Sequence, residues 1–314
     1  MSAFSHHFFK SLFIFLFPII LVLGSGTISY AGTLNCYNYL LMPTQITKIN
    51  NIYFIVDSNH DQILYNDHFD PDLTKWNVMT RNVSGPHAIA GDDSVYMVAD
   101  TENNRLLTFS KSGDTFNLIQ TFDNIGIRPH YVVYNSDNET FYALSSMTGE
   151  LYLYTRSPDS NMLVFQGIRH IPEYEHCYIR SFTISGNYLL LPVIEKSCIS
   201  VVDINTFEIL HEYPVPDSLS GMVQISPIGN YFYLTVSTDK SYDQSKSTIV
   251  RAHTLEDFAL NNYESIYKLF GNNGTPYFIS SFDGSYYLIH ENEAPNVYRF
   301  QVYNDVISDI KGFF

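Results

Sequence analysis

The feature that most constrains this chain is an internal repeat. A unit of short aromatic and aliphatic runs, separated by polar turns, recurs along residues 44–314. The clearest copy opens at residues 87–90, continues through residues 95–100, turns at residues 101–104 and closes at residues 105–109. A repeat of about 45 residues has the length of one four-stranded propeller blade. The sequence therefore predicts an all-β fold, a six-bladed β-propeller of four-stranded blades.

The other copies share this order of runs and turns. They occupy residues 53–65, 130–154, 179–203, 222–251 and 277–300. Few segments show an apolar period near 3.6, which disfavours a helical solenoid. Residues 254–270 are the exception and are interpreted as a blade insertion with a short helix. A two-sheet sandwich is the alternative fold, because strands alone do not count blades.

In a propeller, the first strand of each blade lines the central channel. We therefore expect five residues, or their neighbours, on innermost strands: His87, His130, Arg180, Met222 and Tyr277. We also expect a strand from residues 37–46 to close the ring, because joining the termini removes an exposed sheet edge.

The N-terminal residues 1–31 have the pattern of a secretory signal peptide. Lys10 precedes an apolar run at residues 12–23, and small residues lead to a cleavage point after Ala31. The alternatives are a permanent membrane anchor and lipid attachment at Cys36, but the apolar run is short for a span of about 20 residues. We expect a secreted or extracytoplasmic protein with one propeller domain, residues 32–314, and no membrane span after cleavage.

The composition limits the classes of partner. Hydrophobic residues make up 45% of the chain and the net charge is −15. The hydrophobic content is sufficient for a buried core. The negative charge excludes a general nucleic-acid binder, which presents a basic face. The 25 Tyr and 23 Phe residues favour strands.

The second copy resembles an NHL repeat, and residues 100–105 (Asp-Thr-Glu-Asn-Asn-Arg) are its most specific part. The fourth and fifth copies are more similar to the related YVTN-type repeats. The resemblance covers residues 44–314 and implies a propeller. Asp and Asn side chains close tight turns on their own backbone, so we interpret this Asp-Asn-Arg cluster as structural, with an Arg that bridges to the neighbouring blade.

Three potential metal ligands open successive blades. Pro86-His87 and Pro129-His130 begin two blades in the same way, and Cys177 begins the next. Imidazole and thiolate are both zinc ligands. The arrangement resembles peptidyl-amidoglycolate lyases, which implies channel histidines around a metal. The fifth and sixth blades open without a ligand, so the simpler interpretation is that each His starts a strand and bonds the next blade's loop, with no cofactor.

The cysteines bear on the same question. Cys36, Cys177 and Cys198 are an odd number, so at most one internal disulfide forms. Export would permit a Cys177–Cys198 bond. That bond and a Cys177 metal ligand exclude each other.

Ligand-binding candidates near the channel mouth are Arg128, Tyr131, Arg180 and Tyr277, which suit an acidic or sugar ligand through charge and stacking. No complete catalytic set is found. The first hypothesis is a module that binds an unknown protein, small molecule or carbohydrate through its mouth loops. The alternative is a metal-dependent lyase or hydrolase at the mouth.

Overall fold

The computed structural model describes residues 36–314. These residues form 24 strands in six four-stranded antiparallel sheets, and each sheet uses four strands that are consecutive in the chain. The sheets are the blades of a six-bladed β-propeller, so the predicted fold is confirmed. The predicted signal peptide, residues 1–31, lies outside the described residues.

Blades 1 to 3 follow one another without interruption. Blade 1 contains β1 (Pro43–Ile49), β2 (Ile52–Asp57), β3 (Gln62–Asn66) and β4 (Asn77–Thr80). Blade 2 contains β5 (Ala88–Gly91), β6 (Val95–Asp100), β7 (Arg105–Ser112) and β8 (Thr115–Asp123). Blade 3 contains β9 (Pro129–Asn135), β10 (Thr140–Ser145), β11 (Glu150–Arg156) and β12 (Leu163–His170).

Blades 4 to 6 complete the ring. Blade 4 contains β13 (Thr183–Ser185), β14 (Tyr188–Val193), β15 (Cys198–Asp203) and β16 (Ile209–Pro214). Blade 5 contains β17 (Gly221–Ile228), β18 (Tyr231–Thr238), β19 (Thr248–Ala252) and β20 (Glu264–Ser265). Blade 6 contains β21 (Pro276–Phe282), β22 (Ser285–His290), β23 (Val297–Tyr303) and β24 (Val306–Phe313).

Helical structure in the described part of the chain is confined to short connections. The helix α1 spans Leu255–Ala259, and a capping box starts it: Thr254 Oγ1 accepts from the Asp257 backbone, and Asp257 Oδ2 accepts from the Thr254 backbone. The predicted helix in residues 254–270 is therefore present, but the same segment also supplies β20. The 3₁₀ turns span Ser58–His60, Leu73–Lys75, Thr101–Asn103, Pro172–Tyr174, Asp217–Leu219, Gln244–Lys246 and Tyr267–Phe270. None of the helices in residues 36–314 has the length and hydropathy to cross a bilayer.

The first strand of each blade is innermost. Strand β5 packs against β1 and β9, and β17 packs against β13 and β21. Second strands such as β6 and β10 are buried at every residue, because they lie between neighbouring sheets. Outer strands such as β12 and β16 are mostly exposed. His130, Met222 and Tyr277 lie on innermost strands, His87 directly precedes β5, and Arg180 lies three residues before β13, as expected.

The expected closure is wrong. Residues 43–46 belong to β1, the innermost strand of blade 1, and β24 pairs only with β23 among the described strands. The ring closes by side-chain packing instead, with β1 against β21 and β22. Phe69 of blade 1 lies 4.9 Å from Phe313, and Trp76 lies 6.1 Å from Phe314, centroid to centroid. Edge-to-face aromatic pairs of this kind add about 0.5–1.5 kcal/mol each beyond the burial of their area.

A turn centred on Asp100 fixes the linker into blade 2. Its carboxylate accepts hydrogen bonds from the Ser84 backbone at 2.6 Å, from Asn103 Nδ2 and from Arg105 Nε at 2.5 Å. Asp100 is fully buried, so each of these charge-assisted bonds replaces lost hydration. These contacts are structural, in agreement with the interpretation of the Asp-Asn-Arg cluster.

The same turn recurs in blade 1 with different side chains. Asp57 accepts from the Leu41 backbone at 2.8 Å, pairs with His60 at 2.7 Å and accepts from Gln62 Nε2 at 2.8 Å. The spacing from the carboxylate to its partners, three and five residues on, is that of Asp100 with Asn103 and Arg105. His60 therefore stands where blade 2 has an Asn and is a turn residue.

The residue between these two partners, four residues after the carboxylate, bridges to the next blade. Asp61 and Asn104 are left-handed, with φ of 50° and 51°. Asp61 Oδ1 accepts from the Gly85 backbone, and Asn104 Oδ1 accepts from the Arg128 backbone, both at 2.7 Å. The expected bridge from an Arg is thus made by Asn104, while Arg105 bonds the linker carbonyl of Asn82.

Candidate functional site

The polar centre of the molecule lies where the innermost strands begin. Pro129 pairs with Ser145 and Pro276 with His290, so the starts of first strands and the ends of second strands meet at one end of the ring. We call this end the mouth. Its residues are His87, His130, Tyr178, Arg180, Tyr277 and Glu291.

His87 and His130 are brought together at the mouth. Their ring centroids lie 4.0 Å apart with a 36° tilt. Both residues are buried. The turn that positions His87 is that of blade 2, because Thr101 Oγ1 contacts His87 Nδ1 at 3.1 Å and donates to the Pro129 carbonyl at 2.7 Å. The hydroxyl of one turn therefore joins the starts of two innermost strands.

The hydrogen bonds of the two rings define their tautomers. His87 Nδ1 lies 2.8 Å from the Gly85 carbonyl, and His130 Nδ1 lies 2.8 Å from the Arg180 carbonyl. A carbonyl oxygen only accepts, so each Nδ1 carries a proton. In the neutral rings, each Nε2 then presents a lone pair.

The lone pair of His130 faces two phenols. Tyr277 OH lies 3.2 Å and Tyr178 OH 3.3 Å from His130 Nε2. The three side chains come from β9, the linker before β13 and β21, that is, from three different blades. Such a junction links opposite sides of the ring through one imidazole.

Burial keeps this cluster uncharged. Desolvation lowers the pKa of His87 from 6.5 to about 4, with Arg128 and Arg180 adding to the effect. Desolvation, followed by the neighbouring His87, places the pKa of His130 well below 6.5. Desolvation and Glu291 raise the pKa of Tyr277 well above 10. At neutral pH, the imidazoles and the Tyr277 phenol are therefore neutral.

Arg180 is the cation at the centre of the mouth. Its Nη1 donates to the Gly221 carbonyl at 3.2 Å and to Ser237 Oγ. Its Cζ lies 5.0 Å from the centroid of the Tyr178 ring, a cation–π distance. The guanidinium is thus fixed between blades 4 and 5.

A loop of blade 5 lies beside Arg180. Tyr242 is 57% exposed, and its hydroxyl lies 3.4 Å from Glu195 Oε1. Glu195 also accepts from the Tyr178 backbone. The rim therefore presents an exposed aromatic ring that is linked to Tyr178 through Glu195 and interacts electrostatically with Arg180.

Glu291 is the mouth residue that the sequence analysis missed. It directly follows β22 and is 5% exposed, with Arg180 and Tyr277 as its electrostatic partners. Among the described residues, its carboxyl group has no hydrogen-bond partner, although its backbone N–H bonds the Thr275 carbonyl at 3.0 Å. The available signal was positional: the residue after the second strand is Ser58, Thr101 and Ser146 in blades 1 to 3 but a carboxylic acid in blade 6.

The other predicted ligand-binding residues have different environments. Arg128 is partly exposed at the rim, where its Nη1 pairs with Glu102 Oε1 at 2.6 Å. Tyr131 is buried, accepts from Gln224 Nε2 at 3.3 Å and packs on Phe278 with centroids 4.7 Å apart. Tyr131 therefore belongs to the aromatic packing that fills the channel, whereas Arg180 and Tyr277 belong to the mouth.

The predicted zinc ligands are not assembled as a set. Cys177 is buried beside Glu195, Lys196 and Glu212, and desolvation raises the pKa of its thiol. Within residues 36–314, no three His, Cys, Asp or Glu side chains form a group that could hold a metal. The mouth thus supplies two imidazole lone pairs, one of them already bonded to phenols, and the residues present do not fit a three-ligand zinc site.

All three cysteines are free in the structure. Desolvation raises the pKa of the Cys198 thiol to about 12, and it raises that of Cys36 to about 11. A Cys177–Cys198 disulfide is therefore not formed, and the two thiols lie close enough to interact electrostatically.

A second concavity lies on the opposite face, between blades 2 and 3. It has a volume of about 570 Å³ and is lined by Asp92, Tyr134, Glu139, Arg156 and Asp159, among others. Arg156 is paired there with Asp93 at 2.9 Å and with Asp92 at 3.5 Å. Because its cation is already neutralised and its remaining charges are exposed carboxylates, this cleft is a weaker site than the mouth.

Comparison with known proteins supports the propeller fold and gives no information about the residues of the mouth. No family model matches the sequence, and no curated protein matches it. Among solved structures, a protein from Bacteroides uniformis described as a candidate 6-phosphogluconolactonase is similar, with a TM-score of 0.58, 12% identity and coverage of 82% of this chain and 80% of that one. Kuenenia stuttgartiensis hydrazine synthase gives a TM-score of 0.55, 17% identity and coverage of 88% and 80%.

A protein from Lactobacillus plantarum gives a TM-score of 0.50 with 14% identity, over 87% of this chain and 81% of that one. At such identities the likeness shows the propeller fold alone, since one fold supports many unrelated functions.

Proposed function

We propose that this chain is a ligand-binding propeller whose mouth takes up a small organic anion, with Arg180 as the residue that binds the anionic group. The observation that supports this is the fixed guanidinium of Arg180, which precedes blade 4 and is anchored through Nη1 on two groups of blade 5. A guanidinium has five N–H donors, so donors remain for a ligand. A preorganised Arg fork is suited to carboxylate, sulfate or phosphate groups.

The charge distribution favours an anion at this position. The whole chain carries a net charge of −15, but the imidazoles at the mouth are neutral. The Arg180 charge is therefore not accompanied by other cations from the His pair, nor is it cancelled by the buried phenols. Because the protein as a whole is acidic, it does not attract anions over long distances, and an anion binds through its local contact with Arg180.

The rim favours a ligand with a ring or a polyol chain. Tyr178 stacks on Arg180, and the exposed Tyr242 of the rim interacts electrostatically with the same guanidinium. Aromatic faces contact the apolar faces of such ligands, while the Tyr hydroxyls supply hydrogen bonds. We also propose that residues 1–31 direct secretion and that the blades are related to NHL-type repeats.

Binding is tested by calorimetry with D-gluconate, sulfate and uncharged D-glucose. We expect the two anions to bind and D-glucose to bind more weakly. Arg180→Gln should weaken anion binding at least tenfold, because a charge-assisted hydrogen bond contributes about 1.5–3 kcal/mol. Arg156→Gln, in the cleft of the opposite face, is the matched control. Loss of binding in the Arg156 variant alone would move the site to that cleft, and no binding of either anion by the wild type would refute the proposal.

Hydrolysis of an anionic sugar lactone is a second candidate function. The observation that favours it is His130, a neutral imidazole whose Nε2 lies within hydrogen-bond distance of two phenols, an arrangement suited to proton transfer. The candidate 6-phosphogluconolactonase with a similar fold acts, by its description, on such a substrate. No metal ligand set supports the metal-dependent form of this hypothesis.

The test is turnover of 6-phosphogluconolactone above its spontaneous hydrolysis, measured as acid release at pH 6.5. A lactonase should lose most of its rate in His130→Gln and keep it in His176→Gln, since His176 is an exposed residue of the linker before β13. Binding of D-gluconate without turnover of the lactone would support the binding function and refute the lactonase function.

A further inference from the structure

We propose that Glu291 is a specificity-determining residue of the mouth, which faces the bound anion as a neutral carboxylic acid and donates a hydrogen bond to it. This inference rests on the proposed anion-binding function of Arg180. It assigns a second ligand contact and couples anion uptake to a proton.

The geometry singles out this carboxyl group. Glu291 is 5% exposed and lies with Arg180 and Tyr277 at the mouth. The other buried carboxylates described above, Asp57 and Asp100, each accept three side-chain or backbone hydrogen bonds. Glu291 has no such bonds among the described residues. Its carboxyl oxygens are not completely buried, so a ligand can reach them and complete their hydrogen bonding.

The surroundings do not stabilise a negative charge at this position. The Tyr277 phenol and the ring of His130 are neutral at pH 7, and His290, the preceding residue, is buried and neutral as well. Arg180 is the cation that acts on Glu291. Desolvation outweighs that attraction and raises the pKa of Glu291 from 4.5 to about 8.

The sign of the pH dependence follows from this. Below pH 8, the acid is protonated, leaves the Arg180 charge available and donates to the anion. Above pH 8, ionised Glu291 repels the anion and competes for Arg180. The affinity should therefore be constant from pH 6 to 7.5 and decline towards a tenfold loss per pH unit above 8, the limit for one linked proton.

The neutral side chain also confers selectivity. A protonated carboxyl group offers one O–H donor and one carbonyl acceptor, and a hydroxyl group next to the ligand's carboxylate matches both. D-Gluconate has this pair of groups on adjacent carbons, whereas acetate lacks the hydroxyl. We therefore expect a 2-hydroxy carboxylate to bind at least tenfold more tightly than acetate.

The experiment is calorimetry with D-gluconate between pH 6 and 9.5, where the charge of this probe is constant. The wild type should follow the pH profile above, and Glu291→Gln, which keeps an uncharged donor, should bind with an affinity that is independent of pH. Glu293→Gln changes an exposed carboxylate two residues away and should behave as the wild type. Equal decline of affinity in wild type and Glu291→Gln would overturn the inference.

A second measurement needs no variant. At pH 8.5, titrations in buffers of different ionisation enthalpy should show that the wild type takes up protons on binding D-gluconate, up to one per site. Absence of proton uptake would overturn the assignment of Glu291, while Arg180-dependent binding would still support the anion site. Absence of D-gluconate and sulfate binding would instead refute the proposed function and this inference with it.

Discussion

The imidazole rings of His87 and His130 lie 4.0 Å apart, and each donates its Nδ1 proton to a backbone carbonyl. The two rings belong to successive blades, so the contact crosses a blade boundary at the mouth. Protonating either ring would place a charge in a desolvated site beside Arg180. The pair is therefore a stabilising contact only while it is neutral.

The first prediction concerns acid stability. The pKa of His87 falls from 6.5 in the unfolded chain to about 4 in the fold. The unfolded state therefore binds protons first as the pH falls, and stability decreases between pH 6.5 and 4. At about 1.4 kcal/mol per pKa unit, His87 alone contributes a loss of about 3 kcal/mol. Urea unfolding at pH 7.5 and 4.5 measures this loss, and His87→Gln should reduce it.

The control for this measurement is His176→Gln, because His176 is largely exposed. Its pH-dependent loss should equal that of the wild type. An unchanged loss in His87→Gln would show that the buried pair does not control acid stability.

The second prediction concerns the turn of blade 2. Asp100→Ala removes the acceptor for the Ser84 backbone, Asn103 and Arg105, and leaves those donors without their partner. We expect a loss of about 3 kcal/mol in the free energy of unfolding, the range for a broken buried network. Chemical denaturation measures it. Asp137→Ala, at an exposed hairpin, should change stability by less than about 0.5 kcal/mol; similar values for the two variants would contradict the role of the turn.

The third prediction uses the single tryptophan of the chain as a reporter of ring closure. Trp76 is buried, and Phe314 lies 6.1 Å from its ring. Removal of residues 313–314 should expose Trp76, shift its fluorescence emission to the red and lower stability by about 2 kcal/mol, the scale for loss of a partly buried aromatic contact. Tyr303→Ala, an exposed residue of the same blade, is the control. An unshifted spectrum would mean that the closure does not depend on these rings.

The fourth prediction concerns the thiols. Cys177 and Cys198 are buried, and their thiol pKa values are raised, so the reactive thiolate is scarce. In native buffer at pH 8 without a reducing agent, a thiol reagent should react with neither of them at an appreciable rate. In denaturant, all three cysteines should react. If only one cysteine reacts in denaturant, the purified protein contains a disulfide.

The fold was predictable because it repeats. The aromatic runs, the Asp-Thr-Glu-Asn-Asn-Arg turn and the copy length are local signals, and each blade provides a new sample of them. The placement of His87 beside His130 followed from the same regularity, since Pro-His opens two consecutive blades. Closure was not predictable, because nothing local distinguishes a strand that starts its own blade from one that completes another.

The site was harder to predict from the sequence than the fold, for a physical reason. Tyr131 and His130 are neighbours on one strand and point to opposite sides of it, so one joins the mouth while the other fills the channel. Glu291 shares no local motif with Arg180, which is 111 residues away in the chain. Its importance depends on burial without hydrogen bonds, and burial is a property of the packed ring.

The way in which the ring closes has a consequence for how the chain can be rearranged. No sheet in residues 36–314 borrows a strand from a distant part of the sequence. A circularly permuted chain that is cut in a linker between two blades, with the present ends joined, would keep every strand pairing. Whole blades are thus the units in which such a protein can be cut, duplicated or shuffled, and the mouth is the feature that requires blades 2 to 6 in their present order.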